Sequence, residues 1–315
     1  MRVSVILPVK DDPPVFEAVA SVLAGAADVE FFVVDNGSAP DFRASLDTLP
    51  PSVRVLDEPR PGPSAARNRG LDEATGDVIF FIDADCVAAP GWMAAGLAGL
   101  EATGADLLRG AATMAGDTNA ARLIHASFRK RRKSVPGDTV RLDTRNMAAR
   151  RRVFDSLRFN EASIRGEDIE FGMRAEELGF RTAYWPAMRV SHEHEGELKV
   201  FLAKKVVGGW HLRAVAAASP SLRWPMKRPR LLPKLAARTK AFPGQAAALR
   251  GLLLGVVWAG WALDTAGRFV PTRAGGLALK VLGSGAAAVG AALHDGGYAP
   301  PVWQDALHGR IRRPA

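Results

Sequence analysis

A strand that must be covered on both faces is written into residues 78–87, VIFFIDADCV. Val78, Ile79, Phe80, Phe81 and Ile82 form an unbroken apolar run, and a run with no polar face reads as a strand buried on both sides. Such strands belong to sheets flanked by helices, whose ligands bind just beyond the carboxyl ends of the strands. Here the run ends on Asp83 and Asp85, one residue apart. Carboxylate oxygens at that place suit Mg²⁺ or Mn²⁺, and either cation can hold a diphosphate. Aspartates at strand ends also cap turns, so the pair by itself leaves both readings open.

The surrounding segments supply the rest of such a sheet. Val3–Leu7 is an apolar strand ended by Pro8, and Val15–Leu23 has helical spacing after Pro13 and Pro14. Glu30–Val34 is a second strand, running into Asp35, Asn36, Gly37 and Ser38. A short strand follows at Val53–Leu56, then a Gly62–Ser64 entry into a helix through Ala74 that Gly76 stops. This β-α-β-α-β alternation predicts a mostly parallel sheet with helices on both faces. Asp35 and Asp83 then stand at carboxyl ends of strands in one sheet and share one crevice.

Past Leu100 the pattern is less regular. It predicts a strand at Leu107–Ala112, a helix over Asn119–Arg131, a basic turn at Arg129–Lys133, a segment Thr144–Ala149 and a helix from Arg151. A loop with Arg165 and Gly166 leads to a helix over Glu167–Leu178 that ends at Gly179. Ile169, Phe171, Met173 and Leu178 give that helix a buried stripe, while Glu167, Asp168 and Glu170 crowd its first turn. Acids there offset the helix dipole, so capping stands beside any chemical role for Glu167 and Asp168. After Trp185 and Pro186 a strand leads to His192 and His194, a pair that reads either as metal ligands or as a surface turn.

A chain of 315 residues that is 48% hydrophobic can bury a full core, as one large or two modest domains. Its single cysteine, Cys86, can form no internal bridge, and the N-terminus meets a proline and acids after a few apolar residues. Both predict a reducing, cytoplasmic setting. With no histidine near it in sequence, Cys86 reads as a packing residue rather than a nucleophile. The net charge of +9 is unevenly placed: Leu198–Leu263 has no acid but carries Lys199, Lys204, Lys205, Arg213 and further cations, while the chain before it is acidic on balance. One-sided basic charge implies a polyanionic neighbour, a membrane face or a nucleic acid. Stacking platforms are sparse in this tract, with Trp210 and Trp224 the main ones, which argues against nucleic acid. Ser219–Pro243 reads as a Pro-rich linker, and the apolar stretches Gly251–Leu263 and Val281–Leu293 both fall short of the ~20 residues of a spanning helix. Cations before apolar segments, with Trp258 and Trp261 as interfacial anchors, predict a tail lying on an anionic, cytosolic membrane face.

Five motifs in order, VSVILPVKDD, FFVVDNGS, GPSAARNRG, FFIDADC and GEDIEFGMR, make residues 1–215 resemble the family 2 inverting glycosyltransferases of the GT-A fold. The resemblance implies a GT-A domain over 1–215, with a nucleotide-binding half at 1–110 and an acceptor half at 111–215, followed by a basic helical extension over 216–315. It implies that Pro8 and Val9 line the nucleotide pocket, that Asp35 bonds the base, and that Arg67 and Asn68 face the nucleotide. Asp83 would lie near the ribose or metal, Asp85 and His192 would hold a Mn²⁺ or Mg²⁺ ion at the donor diphosphate, and Asp168 would be the catalytic base, with Glu167 as its substitute. A nucleotide-sugar, uridine-based by the same resemblance, would be the donor, and a hydroxyl-bearing lipid-linked or envelope glycan the acceptor; a soluble peptide or natural product is the alternative.

The chemistry asks for the same set. A sugar leaving a nucleoside diphosphate builds charge that a cation offsets, and an acceptor hydroxyl needs a carboxylate to take its proton. Lys10 and Asp11 depart from the Tyr and Asn common in relatives. No Q-x-x-R-W follows the base; Lys204–Trp210 stands there, so a single transfer is expected rather than a processive synthase. Trp210 and His211 read as core and rim, or as a sugar platform; Asn146 reads as a substrate contact or a backbone tether. A nucleotidyltransferase would open on a glycine-rich loop, and Pro8–Pro14 contains no glycine. A non-catalytic nucleotide binder would leave the acidic residues without a purpose.

Overall fold

The computed structural model describes residues 1–25, 28–115, 141–163, 165–193, 197–218 and 272–295, together with positions 120, 123, 124, 255 and 259. Most of the expected helix at Asn119–Arg131, the turn at Arg129–Lys133, the Ser219–Pro243 linker and almost all of Gly251–Leu263 lie outside the described residues; positions 120, 123 and 124 are helical.

The chain divides into two compact units, residues 1–114 with 133–193, and residues 115–132 with 194–315. The first is built on an eight-stranded sheet. Its strands are β1 (Val3–Val9), β2 (Glu30–Asp35), β3 (Val53–Asp57), β4 (Val78–Ile82), β5 (Cys86–Ala88), β6 (Leu107–Ala115), β7 (Asn146–Arg150) and β8 (Thr182–Glu193), in the order β3-β2-β1-β4-β7-β6-β8-β5. The parallel arrangement expected of the first strands holds for β3-β2-β1-β4. Beyond β4 the sheet is mixed: β7 runs antiparallel to both β4 and β6, and β5 antiparallel to β8. All five residues of β4 are buried, as its sequence requires of a strand covered on both faces.

Helices α1 (Val15–Leu23), α2 (Pro40–Ser45), α3 (Pro63–Glu73) and α4 (Trp92–Thr103) follow the first strands, and α5 (Glu167–Glu177) precedes β8. α4 has little apolar periodicity because half of it is Ala and Gly, WMAAGLAGLEAT. Those small residues let it lie close on the sheet: a Cβ at Gly99 would stand 2.6 Å from Trp185 Cγ. The core divides between the two faces of the sheet. One side gathers Val5, Leu7, Phe31, Phe80 and Trp92, and the other Ile6, Phe32, Phe81, Phe154 and Phe171.

The helix expected from Arg151 is only a three-residue 3₁₀ turn, Arg151–Val153. There Arg151 donates to Gly76 O and Ala74 O, tying the chain to the end of α3, and the following residues give up helical pairing to bury Phe154 and Phe159. Phe159 stacks on Phe171 at 4.4 Å between centroids, and Phe81 meets Phe154 and Phe159 at 5.7 and 5.5 Å. Such pairs contribute about 0.5–1.5 kcal/mol each beyond area burial. They fix the start of α5 against the sheet.

The described part of the second unit contains α6 (Leu198–Ala218) and α7 (Thr272–Asp295). A Cβ at Gly209 would collide with Ala287 O, so these two helices touch backbone to backbone. Trp210 packs edge-on to His211 and His294, at 5.0 and 5.1 Å, which places it in the helix contact. Among the described residues no helix is long and apolar enough to cross a membrane.

Candidate active site

Three strand ends build one side of the candidate site. Register pairs Pro8 with Val34 and Val9 with Asp35, which brings Pro8, Val9 and Asp35 to one edge. Asp35 is buried; its Oδ2 accepts from Ser38 N at 3.3 Å, while its Oδ1 has no partner among the described residues. A buried acceptor without a donor is costly, and a ligand N–H would satisfy it. Next to it, Asn36 is a tether: its amide donates to Glu58 O and Arg60 O and accepts from Gly62 N, at 3.1, 2.7 and 2.8 Å. It thereby fixes the Gly62 entry to α3.

From α3 the buried Arg67 reaches across the sheet ends. Nη1 donates to Glu167 Oε1 at 2.8 Å and Nη2 to Asp83 Oδ1 at 2.9 Å, and its guanidinium lies 5.7 Å from the Phe159 ring centroid. Burial opposes its charge, yet Asp83 and Glu167 hold its pKa above the ordinary value. Asn68, its neighbour, spends its amide elsewhere: Nδ2 donates to Phe159 O and Glu161 Oε1, and Oδ1 accepts from Phe159 N. It holds the loop before α5.

β4 delivers Asp83 and Asp85 with different surroundings. Burial raises the pKa of Asp83; Arg67 opposes this, and the Asp85 charge adds to it. Asp85 is also penalised by burial, but His192 more than compensates and its pKa is lowered. His192 Nε2 lies 3.0 Å from Asp85 Oδ2, because β5 pairs with β8 in a register that sets Cys86 opposite His192. Donor atoms of Asp85, Cys86 and His192 all lie within 4.8 Å of one another. The carboxylate oxygens suit Mn²⁺ or Mg²⁺, and the imidazole nitrogen suits a transition metal better than Mg²⁺. The Cys86 thiol is fully buried and, through burial and then Asp83 and Asp85, is pushed far above its usual pKa. It has the character of a packing residue.

α5 begins at Gly166, whose φ of +80° is a left-handed conformation that glycine adopts without strain. No side chain caps this helix start. Glu167 is committed to Arg67 instead, and among the described residues Asp168 Oδ1 accepts only from the adjacent Ile169 N at 2.8 Å. Although part of its surface faces solvent, Asp168 is densely surrounded. Desolvation first, then the Glu167 and Asp143 charges, push its pKa up to about 8. That is where a general base is most effective near neutral pH.

Asp143 and Arg145 belong to this site, and sequence reasoning passed over both. Arg145 Nε and Nη2 grip Asp143 at 2.8 and 2.6 Å, and despite burial this pairing lowers the Asp143 pKa to about 2. Their signal was weak, two opposite charges in an irregular segment. Asn146 takes the tether reading: it accepts from Trp92 Nε1 and donates to Ala111 O and Met188 O, at 2.8, 2.8 and 2.9 Å.

Residues 4–158 match the family model described as Glycosyl transferase family 2. The chain is similar to the pre-mycofactocin glycosyltransferase of Mycobacterium tuberculosis, 28% identical over 239 residues, covering 71% of this chain and 49% of that protein. It is also similar to glycosyltransferase AglE of Haloferax volcanii, 29% identical over 197 residues, covering 58% of this chain and 64% of that one. The chain thus spans less than two thirds of the length of either curated relative. Among solved structures it resembles the mannosyltransferase PcManGT from Pyrobaculum calidifontis, in complex with GDP-Man and Mn²⁺. The TM-score is 0.57 and the identity 20%, over 91% of this chain and 86% of that one, a likeness of fold.

Proposed function

Because residues 4–158 carry a glycosyl transferase family 2 domain with a GT-A-like fold, we propose that this chain moves one sugar from a nucleotide-diphospho-sugar to an acceptor hydroxyl, with inversion. Asp168 carries the reading: a carboxyl group with its pKa raised to about 8, beside Glu167 and Asp143 and within reach of the Arg67 charge that Asp83 shares. In the ionised form its Oδ accepts the acceptor's hydroxyl proton. The acceptor oxygen then bonds to the anomeric carbon as the bond to the diphosphate oxygen breaks, and the electron pair leaves with the diphosphate. One base suffices for a single inversion. Glu167, held by Arg67 at 2.8 Å, keeps negative charge beside Asp168 and so helps hold its pKa high.

On the donor side the unpartnered Asp35 Oδ1 takes a base N–H, with Pro8 and Val9 lining that pocket. Arg67 and Asp83 stand toward the nucleotide, and Asn68 acts through the loop it holds. Asp85 and His192 hold a divalent cation, Mn²⁺ or Mg²⁺, which when bound would neutralise charge on the departing diphosphate. The catalytic domain runs to about residue 215, and a uridine diphosphate sugar is the first donor to try. The PcManGT complex with GDP-Man and Mn²⁺ supports a nucleotide-sugar and a metal.

The basic tract from Leu198 onward supports a peripheral position at an anionic, cytosolic membrane face and a lipid-linked or envelope-glycan acceptor. The relative named for pre-mycofactocin supports a second reading, a soluble acceptor. The deciding experiment is calorimetric titration with UDP, GDP and TDP in Mn²⁺, Mg²⁺ and EDTA. Metal-dependent binding of one nucleotide series is expected, and no response to any of them would overturn the reading. Removal of residues 219–315 should lower binding to anionic liposomes; undiminished binding would leave the soluble acceptor.

A further inference from the structure

Arg145 carries a charge that the proposed chemistry has not yet used. The antiparallel register that sets Ile82 opposite Asn146 brings Asp83 and Arg145 to the same end of the β4–β7 ladder, one step beyond the last pair. The Arg145 guanidinium is gripped side-on by Asp143 through Nε and Nη2. Nη1 has no partner among the described residues, and the side chain keeps 30% of its surface accessible against 14% for Asp143. Its charge is felt at Asp83 and at Asp85. Around it stand Asp83, Asp85 and Asp143, and Arg67 is already spent on Asp83 and Glu167. A doubly charged diphosphate entering such a cleft meets net repulsion unless further cations face it.

We propose that Arg145, oriented by Asp143, is a second cationic anchor for the donor diphosphate, beside the divalent cation at Asp85 and His192. A guanidinium fixed on one edge by a carboxylate presents its remaining N–H groups in a set direction, which suits phosphate oxygens. Asp143 acts through Arg145 and is a positioning residue. This assignment rests on the glycosyltransferase reading and adds the point of contact that tells a diphosphate from a monophosphate.

The test compares UDP with UMP, and GDP with GMP, by calorimetry in Mn²⁺ and in EDTA, for wild type, Arg145→Lys, Arg145→Gln and the double variant Asp143→Asn/Arg145→Gln. The double variant removes both charges together, so that no buried carboxylate is left unpaired; circular dichroism and melting confirm folding. A charge-assisted contact corresponds to about a ten- to hundredfold change in affinity. Diphosphate affinity is expected to fall by that factor in Arg145→Gln and in the double variant, in EDTA as well as in Mn²⁺, with monophosphate affinity unchanged and Arg145→Lys intermediate. If the folded variants keep the wild-type preference for diphosphate, Arg145 is not an anchor. If wild type itself binds no nucleoside diphosphate, the glycosyltransferase reading falls and this one with it.

Discussion

Asp85 and Asp168 are the same residue type in two regions of one cleft, joined through the Arg67 bridge between Asp83 and Glu167, yet their surroundings drive them apart. Both lose hydration. Asp85 gains a histidine at 3.0 Å, which holds its pKa down, whereas Asp168 has Glu167 and Asp143 as neighbours and is raised to about 8. Near neutral pH the first stays an anion fit to hold a cation, and the second sits where a proton can be taken up or released. Carboxyl groups whose environments push them apart divide roles in this way. A sheet that changes from parallel to antiparallel pairing makes the difference. The antiparallel β5–β8 pair brings His192 to Asp85, and the loop after β7 brings α5 to the other side.

Asp168→Asn should break the comparison most strongly. Loss of a general base lowers turnover by about 10²–10⁴-fold, with donor affinity in Mn²⁺ unchanged; loss of donor binding instead would assign Asp168 to the nucleotide site. In the wild type, transfer should rise with pH toward about 8 and level above it, following ionisation of Asp168, and a flat profile from pH 6 to 9 would remove its role as base. At the other end, Asp85→Ala should weaken donor binding in Mn²⁺ by roughly 10–100-fold, the range in which groups supporting a metal act. It should also abolish the effect of EDTA, and persistent metal dependence would remove Asp85 as a ligand.

Stability sharpens the same contrast on a smaller scale. The folded protein holds a proton on Asp168 up to about pH 8, while the unfolded chain releases it near 3.8. Between those values the folded state binds the extra proton, so this group's contribution falls as pH rises and levels off above about 8. Asp168→Asn lacks that penalty. Its melting temperature should therefore gain on wild type from pH 4 to pH 8, by ~2–4 °C for each kcal/mol relieved; a constant difference would mean that the carboxyl is not held protonated. The smallest effect belongs to Cys86→Ala, about 1 kcal/mol of lost packing, with metal-dependent donor binding intact. Altered metal dependence would make the thiol a ligand.

Much of the strand-end side of the candidate site was legible in the chain itself. Apolar runs at 3–7, 30–34 and 78–82 fixed which residues would be buried, and with them the strand ends that carry Asp35, Asp83 and Asp85. Glu167 and Asp168 could be placed at a helix start by Gly166 and the stripe behind them. The roles of Asn68 and Asn146 could not be read, because an amide faces a ligand or a backbone carbonyl depending on contacts made across 91 residues to Phe159 or 42 to Met188. The Asp143–Arg145 pair is local, but its place in the site depends on the β4–β7 register that brings Arg145 near Asp83.

Hydrophobic periodicity acts over a few residues, so the sequence alone determined the parallel β-α-β half and the kinds of group at its edge. Which carboxylate meets a cation and which meets another carboxylate depends on strand register and on the Phe81, Phe154, Phe159 and Phe171 packing that seats α5. Those are long-range contacts, and electrostatic energy in a buried cleft varies steeply with distance and dielectric. Only the tertiary structure decided that Asp85 would hold its charge and Asp168 its proton.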